Sequence, residues 1–201
     1  MTAPPVLFRC SPRQGGNSDM AARMFLAGLR QAGGDAREVR LADYAIEPCL
    51  GCGACRRSPG RRCVLADRDQ AEELFGLLLA APFVLFASPI YFYHLPAHFK
   101  AFIDRSQSYY EKGMALDPSI TGLPRRTAHV ILVAGRPTGE RLFEGSLLTL
   151  KYFLVNFKYA LSEPLTLRGK DGPDDLAADE AACALLRESG AAAWRSLDHP
   201  A

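Results

Sequence analysis

The sequence predicts an α/β fold in three layers, with a doubly wound, five-stranded parallel sheet between two layers of helices. Short apolar runs alternate along the chain with segments of helical periodicity, which is the pattern of such sheets. The run at residues 83–87 is apolar at every position, as expected of a central parallel strand buried on both faces. No repeat or linker interrupts the pattern, so a single domain over residues 1–201 is predicted.

The predicted strands are apolar runs that end at turn signals. The first stops at Ser-Pro-Arg, the second alternates between apolar and polar residues, and the fourth is followed by Gly-Arg-Pro-Thr-Gly. In chain order, the strands are predicted at residues 6–10, 36–41, 83–87, 128–134 and 160–167.

The predicted helices carry apolar residues at intervals of three and four. In the first helix the apolar residues Met20, Met24, Phe25 and Leu29 recur at helical spacing. In the third, apolar residues such as Phe99 form one face, and charged residues including Arg105 form the other. In chain order, the helices are predicted at residues 17–31, 67–81, 95–105, 141–157 and 176–197.

Two segments show no helical or strand periodicity. Residues 49–63 read as a cysteine-rich loop, and residues 106–126 read as a long insertion containing two glycines and two prolines. Loops of that length are uncommon in compact domains and often form lids or interfaces. The second segment is therefore a candidate interface between subunits.

The composition excludes several classes of function. A net charge of +2 gives no reason to expect a nucleic-acid partner, and 48% hydrophobic residues suit a globular core. The longest apolar stretch, residues 74–87, is broken by Gly76 and Pro82 and is too short for a membrane helix. With no targeting signal visible, a cytoplasmic location is predicted. Six cysteines in that reducing compartment favour metal or cluster ligands over disulfides.

The turn at residues 11–18 has the composition of a phosphate site. It offers hydroxyl, amide and guanidinium donors, contains two glycines, and opens directly onto a helix whose N-terminus favours an anion. The candidate ligands are Ser11, Arg13, Asn17 and Ser18. Because the dinucleotide pattern G-x-G-x-x-G and the P-loop pattern are both missing, a phosphate monoester is favoured. The alternative is an ordinary turn with an Asn or Ser N-cap.

Three motifs together resemble those of the flavodoxin-like NAD(P)H-dependent FMN reductases, especially the iron–sulfur flavoproteins. They are Ser-Pro-Arg-x-x-Gly-Asn-Ser at residues 11–18, Cys-x-x-Cys-x-x-Cys at 49–55, and Ser-Pro-Ile-Tyr-Phe at 88–92 followed by Lys-Ala-Phe-Ile-Asp-Arg at 100–105. The resemblance spans about residues 6–133. It implies a flavodoxin-like fold, bound FMN, NAD(P)H as a candidate electron donor, and a homodimer or homotetramer.

The resemblance also implies where the flavin ring lies. Residues 89–92 would line the isoalloxazine and offer backbone N–H groups to its polar edge, although they could instead cap the core. The loop after the fourth strand lies at the same edge, where Arg136 could stabilise the anionic reduced flavin or remain a solvated residue. The candidates are Pro89, Ile90, Tyr91, Phe92, Gly135 and Arg136.

Four cysteines follow the spacing C-x2-C-x2-C-x7-C, at Cys49, Cys52, Cys55 and Cys63. Three closely spaced thiolates in an irregular loop, closed by a fourth, can hold a cubane cluster. The motif resembles that of iron–sulfur flavoproteins, in which a 4Fe–4S cluster exchanges electrons with FMN, but its last gap is longer. A zinc site, metal-free or redox-sensing thiols, and a disulfide remain alternatives.

The leading interpretation is an FMN-dependent oxidoreductase that passes electrons between FMN and a 4Fe–4S cluster. Since the cofactor carries the chemistry, no catalytic side chain is assigned. One alternative is a cluster-free NAD(P)H-dependent reductase of quinones, flavin or other small acceptors. Others are a flavodoxin-type electron carrier without enzymatic activity and a nucleotide-binding regulator.

Overall fold

The computed structural model describes residues 3–198 and contains one parallel sheet. Its strand order, β2-β1-β3-β4-β5 with β6 also paired to β4, is the doubly wound order of flavodoxin-like proteins and confirms the predicted fold class. The strands are β1 (Val6–Arg9), β2 (Arg37–Arg40), β3 (Phe83–Pro89), β4 (Arg126–Val133), β5 (Tyr159–Leu161) and β6 (Leu165–Leu167).

The strand predicted at residues 160–167 is broken into two. β5 pairs with residues 126–128 at the start of β4, whereas β6 pairs with residues 131–133 at its end. Pro164 lies in the gap, and its lack of an N–H group prevents a continuous hydrogen-bond ladder. The sheet therefore has five strand positions, the last of which is filled by two short pieces.

Helices cover both faces of the sheet. The first helix has the bounds predicted from the sequence, and the other predicted helices are present but shorter. The helices are α1 (Asn17–Gln31), α2 (Ala54–Arg57), α3 (Ala71–Ala80), α4 (Ala97–Arg105), α5 (Gln107–Met114), α6 (Pro118–Thr121), α7 (Glu144–Val155) and α8 (Glu180–Asp198).

The two segments predicted to be irregular contain helices. The cysteine loop includes the single turn α2, and the insertion at 106–126 folds into α5 and α6. Periodicity did not reveal α5 because its buried face carries Ser108 and Glu111 beside Tyr109, so polarity does not mark the buried side. α6 starts where the Asp117 carboxylate accepts a hydrogen bond from the Ser119 N–H, 2.9 Å away.

The core is divided into two parts by the sheet. On β3, Val84 and Phe86 join a cluster under α3, α4 and α7, whereas Phe83 and Leu85 join a cluster under α1 and α8. This alternation follows from the two-residue period of a strand, and it explains why the run is apolar throughout. Among residues 3–198, no helix is both long and apolar enough to cross a membrane.

Candidate functional site

A cavity of about 640 Å³ opens at the carboxyl edge of the sheet, beside the loops that follow the neighbouring strands β1 and β3. This is the switch point at which doubly wound sheets bind ligands. The ten candidate cofactor residues selected from the sequence all line this cavity: Ser11, Arg13, Asn17, Ser18, Pro89, Ile90, Tyr91, Phe92, Gly135 and Arg136. The fold thus brings three separate loops to one site.

One end of the cavity has the geometry of an anion site. α1 begins at Asn17, and its N-cap is Gly16, so no side chain occupies the first N–H groups of the helix. The Ser11 Oγ accepts a hydrogen bond from the Arg13 N–H, 3.1 Å away, which leaves the hydroxyl hydrogen free to donate. Gly15 adopts a left-handed φ of 76°, and its N–H donates to the buried carboxylate of Asp19 at 2.9 Å.

The Asn17 side chain does not serve the phosphate turn as expected. Its amide nitrogen donates to the carbonyl oxygens of Lys170 and Gly172, at 2.9 and 2.8 Å, and its Oδ1 accepts from the Leu176 N–H at 3.2 Å. Both donors of the amide are therefore used within the protein. Asn17 can contribute to the anion site only through its backbone N–H, while its side chain fixes the segment 170–176 to α1.

The opposite end of the cavity is a wall of apolar and aromatic residues at the end of β3. Phe92 and Tyr93 have left-handed φ angles of 49° and 63°, in a tight turn closed by Tyr91 and His94. Such angles are strained for non-glycine residues and cluster at functional sites. The N–H groups of Ile90 and Tyr91 bond to Val133 and His94, so those of Phe92 and Tyr93 are the free donors of this turn within residues 3–198.

The loop after β4 lies over this turn. The guanidinium of Arg136 is 5.9 Å from the centre of the Tyr93 ring, and a Cβ on Gly139 would come within 3.0 Å of the Tyr93 hydroxyl. Arg136 remains exposed. The loop therefore packs on the aromatic turn and leaves one cation at the mouth of the cavity.

Sequence reasoning missed Lys170 and Asp171, which also line the cavity. The Lys170 ammonium is 2.7 Å from the Asp179 carboxylate. A Cβ on Gly135 would lie 2.6 Å from an Asp171 carboxylate oxygen, so Gly135 permits close approach of this segment. Both residues could have been predicted to lie near the site, because they follow the last strand and every strand of a parallel sheet ends at the same edge.

The four candidate metal ligands line a second cavity, of about 320 Å³, which shares no lining residue with the first. Cys49 and Cys52 are exposed, Cys55 and Cys63 are partly buried, and all four are free thiols. Within residues 3–198, no three His, Cys, Asp or Glu side chains converge closely enough to hold one metal ion. A cubane cluster, in contrast, binds each thiolate at a separate iron.

Helix α5 forms one wall of this cysteine cavity. Gln107, Ser108 and Glu111 contribute to the lining, and Glu111 forms an ion pair of 3.3 Å with Arg56 from the cysteine loop. Burial raises the pKa of the Cys55 thiol, and the nearby Glu111 carboxylate adds to the shift. The segment read as a loose insertion therefore supports the cysteine loop.

Arg105 is placed differently from the sequence expectation. It was assigned to the charged face of its helix, but only 1% of the residue is exposed and it faces the cysteine cavity. Its guanidinium forms an ion pair with the carboxylate of Asp69, which is equally buried. The helical pattern could not reveal this burial, because Asp69 reaches Arg105 from the loop before α3. Lys100 and Asp104, on the same charged face, remain accessible to solvent.

Residues 6–139 match the family of NADPH-dependent FMN reductases. An iron–sulfur flavoprotein of Archaeoglobus fulgidus is 34% identical over 99 residues, covering 49% of this chain and 43% of that protein. An iron–sulfur flavoprotein of Methanosarcina thermophila is 32% identical over 106 residues, or 53% of each chain. The matches thus span about half the length of these relatives.

A solved structure supports the fold over a greater length. The NAD(P)H:quinone oxidoreductase from Methanothermobacter marburgensis superposes with a TM-score of 0.67 and 17% sequence identity. The match covers 95% of this chain and 98% of the other. At 17% identity, this likeness shows that the two proteins share the arrangement of their helices and strands.

Proposed function

Because the chain belongs to the NADPH-dependent FMN reductase family, we propose that it is an FMN-dependent oxidoreductase whose cofactor occupies the 640 Å³ cavity. One observation carries this proposal. A single cavity joins an anion site at the start of α1 to an aromatic wall at the end of β3. FMN has the matching shape, with a phosphate monoester at one end and a flat ring at the other.

The phosphate would be held by several donors of different kinds. Ser11, Arg13 and Ser18 line the cavity beside the start of α1, so their hydroxyl and guanidinium groups would bind the phosphate together with the first N–H groups of that helix. The helix dipole and the arginine compensate the charge of the phosphate. The side chain of Asn17 is omitted from this set because its donors are bound to Lys170 and Gly172.

The ring would lie against residues 89–92, beside the free N–H groups of Phe92 and Tyr93. Fixed donors in a tight turn can bind the polar edge of a flat ring without further ordering. Arg136 would place positive charge at the mouth of the cavity, where it would stabilise an anionic reduced ring. Bound FMN supplies the redox chemistry by accepting and donating a hydride or single electrons.

The anion site is tested by Arg13→Gln, with Arg23→Gln on the exposed face of α1 as the control. Loss of a charge-assisted hydrogen bond costs about 1.5–3 kcal/mol, so we expect FMN to bind about 10- to 100-fold more weakly. The control should change the Kd by less than about twofold. A flavin-fluorescence titration measures both. The proposal fails if the wild-type protein, reconstituted with excess FMN, retains none.

We further propose that the cysteine loop holds a 4Fe–4S cluster that exchanges electrons with FMN. The four thiols lining one cavity supply the donor set that such a cluster requires. The names of the archaeal relatives also support it. Anaerobic purification followed by iron and acid-labile sulfide analysis tests the proposal. We expect four of each per chain, and loss of both in Cys52→Ser; less than one of each in the wild type would refute the cluster.

A cluster-free reductase is the second candidate. It is supported by the match of residues 6–139 to the family of NADPH-dependent FMN reductases. Oxidation of NAD(P)H with a quinone or free flavin, by protein lacking iron, would support it. If NAD(P)H is oxidised only through a partner protein, the electron-carrier alternative is supported instead. A homo-oligomeric state and a cytoplasmic location remain predictions.

A further inference from the structure

The side chain of Arg105 is held rigidly but is incompletely hydrogen-bonded. Its Nη1 donates to the Asp69 carboxylate and to the Glu47 carbonyl oxygen, the latter at 3.1 Å. Asp69 is fixed in turn by the N–H groups of Glu47 and Ala71, at 2.8 and 3.1 Å. The contacts of Nη1 with Asp69 and Glu47 therefore fix the orientation of the Arg105 guanidinium.

The other donors of this guanidinium have no acceptor. Nε and Nη2 are both buried and form no hydrogen bond within residues 3–198. A buried donor left unpaired costs about 1–3 kcal/mol, and more when it is charged. Arg105 lines the cysteine cavity, where its neighbours include Cys63. An arginine side chain is always protonated in proteins, so the guanidinium places a positive charge at the wall of a thiol-lined cavity.

We infer that the free Nε and Nη2 groups of Arg105 donate hydrogen bonds to sulfur of the iron–sulfur cluster held by Cys49, Cys52, Cys55 and Cys63. This inference rests on the proposed cluster. Sulfur ligands are the anionic acceptors that this cavity offers once the thiols are deprotonated. Hydrogen bonds to cluster sulfur raise the reduction potential, because the reduced cluster carries one more negative charge. Arg105 would therefore make the cluster easier to reduce.

Two variants test the role of the guanidinium. Arg105→Lys keeps the positive charge beside Asp69 but removes the forked donors. The double variant Arg105→Met with Asp69→Asn removes the whole buried ion pair without leaving an unpaired carboxylate. The matched control is Arg62→Met with Asp67→Asn, because these residues form an exposed ion pair in the same loop and do not line the cavity.

The measurement is an EPR-monitored redox titration of the reconstituted, FMN-loaded protein. We expect both Arg105 variants to have a more negative cluster midpoint potential, by at least a tenfold change in the one-electron equilibrium constant, or about 59 mV. The cluster midpoint potential of the control should change by less than a third of that amount. Native thermal melting of the FMN-loaded variants verifies that they are folded.

Two results would overturn the inference, and they are distinguishable. If the wild type takes up no cluster on reconstitution, the proposed cluster and the inference fail together, while FMN binding is unaffected. If both Arg105 variants bind a cluster with the wild-type potential, the cluster stands and the role of Arg105 is refuted.

Discussion

At the scale of single residues, Asn17 connects the anion site to a distant segment of the chain. Its side chain is 4% exposed and makes three hydrogen bonds to the backbone of residues 170–176. That segment contributes Lys170 and Asp171 to the cavity. An amide that was expected to bind the ligand thus positions another part of the ligand site.

Asn17→Ala distinguishes these two roles. We expect the FMN-free protein to lose about 1–3 kcal/mol of stability in urea denaturation, because buried backbone groups lose their partners. Asn156→Ala, at the end of α7, is the control and should change stability by less than about 1 kcal/mol. Unchanged stability of the FMN-free Asn17 variant, with weakened FMN binding, would show that the amide acts mainly on the ligand.

Arg105 and Asn17 also mark the limit of sequence reasoning at this scale. The residue types at the anion site and the aromatic turn could be chosen from the sequence, because both lie directly after strands at a known edge. The partners of Arg105 and Asn17 could not, since Asp69 is 36 residues from Arg105 and Lys170 is 153 residues from Asn17. Only the packing of separate elements brings them together.

At the scale of elements, α1 and α8 pack unusually closely at two glycines. A Cβ on Gly28 would lie 1.7 Å from the carbonyl oxygen of Arg187, and one on Gly190 would lie 1.9 Å from that of Phe25. Real atoms cannot approach so closely, so a side chain at either position forces the helices apart. Close contact of α1 with α8 thus depends on both residues having no side chain.

Gly28→Ala is expected to destabilise the protein by about 3 kcal/mol, because separating the helices disrupts the core beneath them. Gly76→Ala is the matched control. It lies in α3 with no atom within 4 Å of its would-be Cβ, so it should stabilise by about 0.5–1 kcal/mol through helix propensity. Chemical denaturation compares the two. Equal effects of both changes would contradict the packing argument.

His129 gives β4 a pH-dependent contribution to stability. Burial lowers the pKa of its side chain from 6.5 to about 4, and the ring packs 5.4 Å from that of Phe83. Between pH 6.5 and about 4, the imidazole is protonated in the unfolded chain but neutral in the folded protein, so the free energy of unfolding falls as the pH falls. Between pH 7 and 5 we expect a loss of about 2 kcal/mol.

The check is urea denaturation of the wild type and His129→Gln at both pH values. Other groups titrate in both proteins, so the change in unfolding free energy between the two pH values is compared between the wild type and the variant. The wild type should lose about 2 kcal/mol more than the variant on going from pH 7 to 5. Parallel losses would mean that His129 is protonated in the folded protein as readily as in the unfolded chain.

Some elements could be predicted from the sequence and others could not, for physical reasons. β3 and α1 have a core contact on every inward position, so their patterns are complete. α5 buries Ser108 and Glu111, and α2 is only one turn long, so neither has a pattern to detect. Pro164, in contrast, was a visible signal for the break between β5 and β6.

At the scale of the whole molecule, the FMN cavity and the cysteine cavity are lined by different residues. Of the residues that the structure describes, none lines both cavities, and α5 supports the cysteine cavity without contributing to the FMN cavity. FMN binding is therefore expected to be independent of the cysteines. Cys49→Ser and Cys52→Ser, singly or together, should leave the FMN Kd within about twofold of the wild type. A tenfold weaker Kd would show energetic coupling between the sites.

The break at Ser162–Pro164 also affects how molecules meet one another. The outermost strand of a sheet offers unpaired backbone groups to which a strand of another molecule can add. Here that border is divided into two three-residue pieces with a proline between them, and the opposite border, β2, carries Arg37, Glu38 and Arg40. Neither border offers a long apolar template. The same interruption that shortens the sheet thus protects the folded protein from aggregation through strand addition.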